Sequence, residues 1–194
     1  MFSHLVEHAL RTAARAHQDH CRKGTDLPYL THPVSVALLL VRAGFVEDEL
    51  LAAALLHDVV EDTSVTLEQL AAEFPPLVIE YVAGLTERKL DDSGVRRSWQ
   101  DRKADHLAHV ATAPQPIRAV ILADKLHNLG SMVFDLRGGE RLWDRFNAPP
   151  DRVLWYLREM VAAAHQHEPI LDGLARQCRH FVDELERSLA ESKD

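Results

Sequence analysis

The feature that most restricts how this chain can fold is a long apolar stretch that ends in charged residues. Residues 50–62 read LLAAALLHDVVED, so that His57, Asp58, Glu61 and Asp62 close a segment whose composition favours burial. A charge left unpaired in a low-dielectric core is very costly, and these side chains therefore need a partner or an opening to water. Such residues are candidates for a functional site.

The composition is that of a soluble globular protein. The 194 residues fit one domain, and 46% of them are hydrophobic and 27% charged. No apolar run reaches the length of a membrane span, and the first residues, MFSHLVEHAL, lack the build of a secretory signal. Cys21 and Cys178 are too few to form a disulfide framework and neither lies in a CxxC pair. We therefore expect a cytoplasmic protein that has no membrane segment.

The net charge of −8 argues against nonspecific binding to nucleic acid, because nothing in the sequence resembles a basic face. Four short basic pairs do occur, and they either serve a small anionic ligand or form solvated surface. These pairs are Arg22-Lys23, Arg88-Lys89, Arg96-Arg97 and Arg102-Lys103.

Helical periodicity dominates the chain, and we find neither a convincing strand pattern nor an internal repeat. Residues 87–97 are polar and are interpreted as a mobile loop. We predict an all-α single-domain protein of about nine to ten helices. The predicted helices cover residues 3–20, 33–44, 47–60, a short segment around LEQLAAEF, 76–86, 99–111, a segment from 117 to about 132, a short segment within 138–153, 151–165 and 169–190.

A second apolar helix also contains an acid. In ILADKLHN, Asp124 lies within the apolar run and Asn128 follows one turn later, while His32 lies at the start of another helix in YLTHP. A divalent metal would satisfy all of these groups together, because two carboxylates cancel the charge of one ion. The predicted ligands are His32, His57, Asp58 and Asp124. This mixed nitrogen and oxygen set suits manganese, iron, zinc or cobalt better than calcium, and does not choose among them.

The two remaining acids are candidates for proton transfer. Glu61 and Asp62 follow the metal pair closely enough to reach water at the ion, so one could take a proton while the other orients water or protonates a leaving oxygen. Alternatively, both acids simply cap the helix that follows. Asn128, one turn beyond Asp124, could hold the substrate.

These motifs resemble those of a known family. His32, His57-Asp58 and Asp124 match the H…HD…D pattern of the HD-domain metal-dependent phosphohydrolases. The segments AHQDHCRKGTDLPYLTHP, AALLHDVVEDT and LADKLHN are similar to the hydrolase domain of RelA/SpoT-type enzymes. The segments SWQDRKADHL, ERLWDRFN and VLWYLREMV are similar to the stand-alone bacterial small alarmone hydrolases. The resemblance runs from about residue 5 to 165.

The resemblance implies an activity and a cofactor. Enzymes of this type remove the 3′ pyrophosphate from the alarmones ppGpp and pppGpp, which gives GDP or GTP and lowers the stringent-response signal. It implies manganese at the four predicted ligands and a catalytic pair formed by Glu61 and Asp62. It also implies that Arg22 and Lys23 contact the guanine base, that Asn128 contacts the nucleotide, and that Ser131 helps to hold the base.

The residues themselves suggest further contacts, and the sequence departs from the pattern of the family that it resembles at two points. Lys89, Arg102 and Lys103 lie in or beside the 87–97 segment and are candidates for binding the distal phosphates. The loop GTDL is one residue longer than the commonest form of this loop in the family. Gly130 stands where a side chain, often Arg, is common, which removes one polar contact to the base.

We predict a hydrolase domain over residues 1–168, followed by an amphipathic helix over 169–194 that packs on the domain or on a partner subunit. The chain should degrade alarmone and not make it. Two alternatives stay open: an HD phosphohydrolase that acts on another nucleotide, such as NADPH or a nucleoside monophosphate, and a non-catalytic sensor of alarmone or metal. The sequence does not decide between a monomer and a homo-oligomer.

Overall fold

Most of the segments predicted as helices form α-helices in the computed structural model, which describes residues 2–87, 89, 93–95 and 97–191. Within these residues there are ten α-helices and no β-strand, which confirms the predicted all-α fold. The helices are α1 (His4–Ala16), α2 (Thr31–Arg42), α3 (Asp48–Leu56), α4 (Val59–Asp62), α5 (Leu67–Ala71), α6 (Pro76–Leu85), α7 (Trp99–Thr112), α8 (Gln115–Arg137), α9 (Pro150–His165) and α10 (Asp172–Glu191). Two short 3-10 helices cover Leu142–Arg145 and Pro169–Leu171.

Local signals in the sequence start several of these helices. The Ser3 hydroxyl accepts from the backbone N–H of Val6 at the start of α1, and Ser98 caps α7 in the same way. Thr66 and Gln69 form a reciprocal capping box at α5. Because such caps satisfy backbone groups that a helix leaves unpaired, they place these helix starts close to where the sequence predicts them.

The helix that is apolar nearly all round, α8, lies at the centre of the fold. It packs against α2, α3, α6, α9 and α10, and its buried side chains include Val120, Ile121, Leu122 and Leu126. A helix that is apolar on every side is stable only when other elements surround it. Asp124 therefore enters the centre of the protein on a helix that is held on several sides.

The helix predicted over 47–60 is interrupted at the residues of greatest interest. α3 ends at Leu56 and α4 begins at Val59, so that His57 and Asp58 form the corner between them. The Nδ1 atom of His57 lies 2.7 Å from the Ala54 carbonyl oxygen, which is the acceptor that residue 58 would use in a continuous helix. This side-chain bond competes with the helical pattern at the point where the helix ends.

The last helix, α10, packs on α8 and α9. A Cβ atom added to Gly130 would lie 3.4 Å from the ring of Phe181 on α10. A side chain at position 130 would therefore face α10, so the expected loss of a polar contact to the base has no support in this fold.

No helix in the described part of the chain combines the length and the apolar character needed to cross a membrane. The predicted mobile loop over 87–97 falls partly outside the described residues, which omit 88, 90–92 and 96.

Candidate metal centre and active site

A cleft of about 650 Å³, its open mouth included, lies between α2, the α3–α4 corner, α8 and α9. Its wall includes the four predicted metal ligands, which come from three separate parts of the chain, together with Glu61. These ligands are His32 from α2, His57 and Asp58 from the corner, and Asp124 from α8. The fold thus brings together residues that are up to 92 positions apart in sequence.

Three of the four side chains, those of His32, His57 and Asp124, meet at one centre, and Asp58 lies beside them. The Nε2 atom of His32 lies 3.1 Å from Oδ1 of Asp124 and 3.5 Å from Oδ2 of Asp58, and Nε2 of His57 lies 3.1 Å from the same Asp58 oxygen. One ligand atom from each of His32, His57 and Asp124 lies within 4.8 Å of the others. Distances of this kind leave room for one ion between the groups.

The imidazole rings are oriented for metal binding. Nδ1 of His57 bonds to a backbone carbonyl, so its Nε2 faces the cluster, and this buried atom has no hydrogen-bond partner among the described residues. Nδ1 of His32 lies 2.7 Å from Nδ1 of His127, which directs Nε2 of His32 toward Asp124. An unsatisfied buried nitrogen beside two carboxylates fits a divalent cation.

The carboxylates of the cluster favour positive charge on the groups beside them. Burial disfavours the charged form of His57, but the Asp58 and Asp124 carboxylates outweigh burial and raise its pKa to about 9. Burial would raise the pKa of Asp124, yet Lys125 and the two histidines hold this pKa well below its usual range. The carboxylates therefore stay ionised and attract positive charge.

Two residues that were not predicted from the sequence to lie in the site bond to the candidate ligands. The Lys125 side chain is largely buried, and its ammonium group lies 2.6 Å from Oδ2 of Asp124. The Tyr29 hydroxyl donates to Oδ2 of Asp58 at 2.6 Å and lies 3.4 Å from Oδ2 of Asp62. The signal for Tyr29 was its place three residues before His32, on the turn that leads into α2.

The two predicted catalytic acids are not equivalent. Glu61 lies on the cleft wall, whereas Asp62 lies at the rim with 40% of its side chain exposed. Lys89 pairs with both acids: its Nζ lies 3.2 Å from Oε1 of Glu61 and 2.9 Å from Oδ1 of Asp62, and it donates to the Glu61 backbone carbonyl. Lys89, predicted to bind distal phosphates, therefore lies against the acids in this structure.

The residues predicted to contact the nucleotide divide into two groups. Arg22 and Asn128 line the cleft and are linked, because Arg22 donates to Oδ1 of Asn128 at 2.8 Å and Asn128 donates to Oδ1 of Asp124 at 2.6 Å. Lys23 is exposed, with its ammonium group 6.0 Å from the centre of the Phe146 ring, and the half-buried Ser131 lies outside the cleft lining.

Lys103 and Arg102, the remaining predicted substrate contacts, converge on a buried acid. Arg102 Nη1 donates to Oε1 of Glu87 at 2.7 Å, and Lys103 Nζ donates to Oε2 at 2.6 Å. Lys103 and Glu87 line the cleft together with His106 and Tyr156. Glu87 was not singled out from the sequence, since a lone Glu after a helix carries no recognisable signal.

Residues 9–137 match the family described as HD domain. The chain belongs to the HD domain family. This match covers most of the chain and includes all four candidate metal ligands, so the predicted family is confirmed.

Proteins similar to this HD domain agree with the resemblance. The chain is 40% identical over 119 residues to guanosine-3′,5′-bis(diphosphate) 3′-pyrophosphohydrolase MESH1 of Danio rerio, covering 60% of this chain and 63% of that protein. It is 36% identical over 137 residues to the bifunctional (p)ppGpp synthase/hydrolase SpoT of Escherichia coli, covering 68% of this chain and 19% of SpoT. The HD domain chain thus spans less than two thirds of the length of either relative.

Solved structures show the same fold over nearly the whole chain. A protein described as a metazoan ortholog of SpoT that hydrolyses ppGpp superposes with a TM-score of 0.75 and 26% identity, covering 97% of each chain. A Listeria monocytogenes protein superposes with a TM-score of 0.65 and 35% identity, covering 80% of this HD domain and 96% of that chain.

Proposed function

We propose that this HD domain is a manganese-dependent enzyme that hydrolyses the 3′ pyrophosphate of ppGpp and pppGpp, giving GDP or GTP and pyrophosphate. The observation that carries the proposal is the meeting of His32, His57 and Asp124 at one centre with Asp58 beside them, on the wall of a cleft that Glu61 also lines. The activities for which the similar proteins are named support this choice of substrate.

In this proposal the four residues at the common centre hold the ion. A divalent cation bound there would activate water and neutralise charge at the phosphorus that is attacked. The mixed imidazole and carboxylate set favours manganese over calcium. Lys125 and Tyr29 bond to the Asp124 and Asp58 carboxylates and keep them oriented toward the centre.

Glu61 is the group that we assign to proton removal from the attacking water, because it lies on the cleft wall while Asp62 lies at the rim. Two contacts hold its carboxylate: the backbone N–H of Glu87 donates to Oε2 at 3.3 Å, and the Lys89 ammonium group lies against Oε1. Asp62 is assigned to orienting the water. It accepts from Lys89, which also contacts Glu61, and it lies 3.4 Å from the Tyr29 hydroxyl, which also donates to Asp58.

The nucleotide would lie between the ion and the open mouth of the cleft. Arg22 and Asn128 line this path and are assigned to the guanosine, whereas Lys23 and Ser131 lie outside the cleft lining. Lys103, with Arg102 behind it, is assigned to the distal phosphates because Lys103 lies on the cleft wall.

The decisive test is product analysis of ppGpp incubated with the metal-stripped protein, with and without added Mn²⁺. We expect GDP and pyrophosphate only when the metal is present. Binding of Mn²⁺ without turnover of ppGpp would refute the proposed substrate. In that case NADPH and nucleoside monophosphates would be tested next, and failure of all of them would favour a non-catalytic sensor.

His127 should matter for metal binding although it is not a proposed ligand. For Nε2 of His32 to present a lone pair to the ion, Nδ1 of His32 must carry the proton and donate to Nδ1 of His127. We expect His127→Ala to weaken Mn²⁺ binding by about 10- to 100-fold, measured by calorimetry. His180→Ala, which removes an exposed imidazole on α10, is the control. Equal affinities in the two variants would contradict the orienting role.

A further inference from the structure

Glu87 is a buried acid whose role the proposed chemistry leaves open. Only 8% of the residue is exposed, and its carboxylate receives bonds from two cations. Oε1 accepts from Arg102 at 2.7 Å, and Oε2 accepts from Lys103 at 2.6 Å with Nδ1 of His106 3.4 Å away. The carboxylate thus gathers three side chains of α7 at one point on the side of the cleft.

A buried carboxylate is an unexpected feature in a cleft for a highly anionic substrate. It lowers the local positive charge, and it repels phosphate unless the cations around it outweigh it. Here Arg102 and Lys103 leave the cluster with an excess of positive charge. A net positive cluster that includes an acid is explained if the acid serves to hold the cations in place.

Holding long cationic side chains in place has a clear benefit. A free Lys or Arg loses about 2 kcal/mol of side-chain entropy when it is ordered by a ligand. Lys103 is already ordered, because its ammonium group bonds to Glu87 and lies 4.6 Å from the centre of the Tyr156 ring. A ligand that meets this arrangement does not have to order the side chain on binding.

We propose that Glu87 is a positioning residue that holds Arg102, Lys103 and His106 as a preassembled cationic cluster for the substrate phosphates remote from the bond that is cleaved. This inference rests on the proposed function, and it assigns to Glu87 a role in substrate affinity. It names the phosphates on the 5′ side of ppGpp as the groups that depend on Glu87.

Two different parts of Glu87 contact the two regions of the cleft. Its side chain holds the cationic cluster, whereas its backbone N–H donates to Oε2 of Glu61 at 3.3 Å. A substitution of the side chain retains the backbone donor. The cationic cluster can therefore be disturbed while the contact to the proposed proton acceptor is kept. Such a substitution should change KM and leave kcat nearly unchanged.

The test compares Glu87→Gln with wild type on two substrates. For ppGpp we expect KM to rise about tenfold, which is the scale of one lost charge-assisted hydrogen bond. We expect kcat to stay within about twofold of the wild-type value. For guanosine 3′-diphosphate, which has no 5′ phosphates, we expect KM to stay unchanged. Asp105→Asn is the matched control, since it removes one negative charge from α7 at an exposed residue that pairs with Arg97.

Three outcomes would overturn the positioning role: an unchanged KM for ppGpp, an equal rise for both substrates, or a fall in KM. The last would mean that Glu87 competes with the phosphates for the cations. If Glu87→Gln does not fold, Glu87→Asp is tested instead, because it keeps the charge but shortens the reach of the side chain. Its KM for ppGpp should rise by less than the tenfold expected for Glu87→Gln.

A binding measurement separates this inference from the proposed function. If wild type does not hydrolyse ppGpp, the proposed function fails, but inorganic pyrophosphate can still be titrated into the metal-free protein. We expect weaker binding of pyrophosphate to Glu87→Gln than to wild type and Asp105→Asn. Equal binding to all three proteins would refute a preassembled cationic cluster.

Discussion

Replacing Asp124 with Asn is expected to abolish Mn²⁺ binding and ppGpp turnover together. Asp124 is a proposed ligand on the central helix, and its Oδ1 lies 3.1 Å from Nε2 of His32. Without its charge, the ion would be held by Asp58 as the one remaining anionic ligand of the proposed set. We expect affinity to fall by more than the roughly 100-fold that loss of an outer hydrogen-bond partner costs.

The buried Lys125 complicates this experiment, because the neutral Asn leaves its ammonium group without a counter-charge. Removing one partner of a buried ion pair costs about 3–5 kcal/mol of stability, so the single variant could lose metal through unfolding. The double variant Asp124→Asn with Lys125→Met removes both charges. It should unfold at a higher denaturant concentration than the single variant and still fail to bind Mn²⁺ by calorimetry. Wild-type affinity in the folded double variant would exclude Asp124 as a ligand.

The helices and the candidate metal ligands were predictable from the sequence for a physical reason. Helices such as α8 follow from local periodicity and caps, which act over a few residues. The candidate ligands His57, Asp58 and Asp124 could be recognised because a charged group in an apolar run conflicts with burial. Such a conflict can be read without knowing which segments meet.

The contacts between distant segments could not be predicted in the same way. Arg22 and Asn128 are 106 residues apart, and Tyr29 and Asp58 are 29 apart, so each pairing depends on how the helices pack. The break after Leu56 was also missed, since His57 and Asp58 are compatible with a continuing helix. Lys89, Arg102 and Lys103 were recognised as cations beside a cleft, but their acidic partners appear only in the folded protein.

The second large effect is expected for Glu61→Gln, which should retain the metal and lose turnover. The amide keeps the size of the side chain but cannot accept a proton, and a positioned general base contributes about 10²- to 10⁴-fold to rate. Its surroundings should persist, because Lys89 keeps its bonds to Asp62 and to the backbone carbonyl of residue 61. We therefore expect kcat to fall by about this factor while Mn²⁺ affinity changes little.

Two comparisons make this test specific to the proton acceptor. Glu80→Gln removes the same charge from an exposed position on α6 and should leave kcat unchanged. Asp62→Asn should reduce kcat less than Glu61→Gln, because Asp62 lies at the rim of the cleft. A larger loss of kcat in Asp62→Asn than in Glu61→Gln would identify Asp62 as the proton acceptor. Normal turnover of ppGpp in Glu61→Gln would exclude Glu61 from proton transfer, and its carboxylate would then serve only to hold Lys89 beside the metal centre.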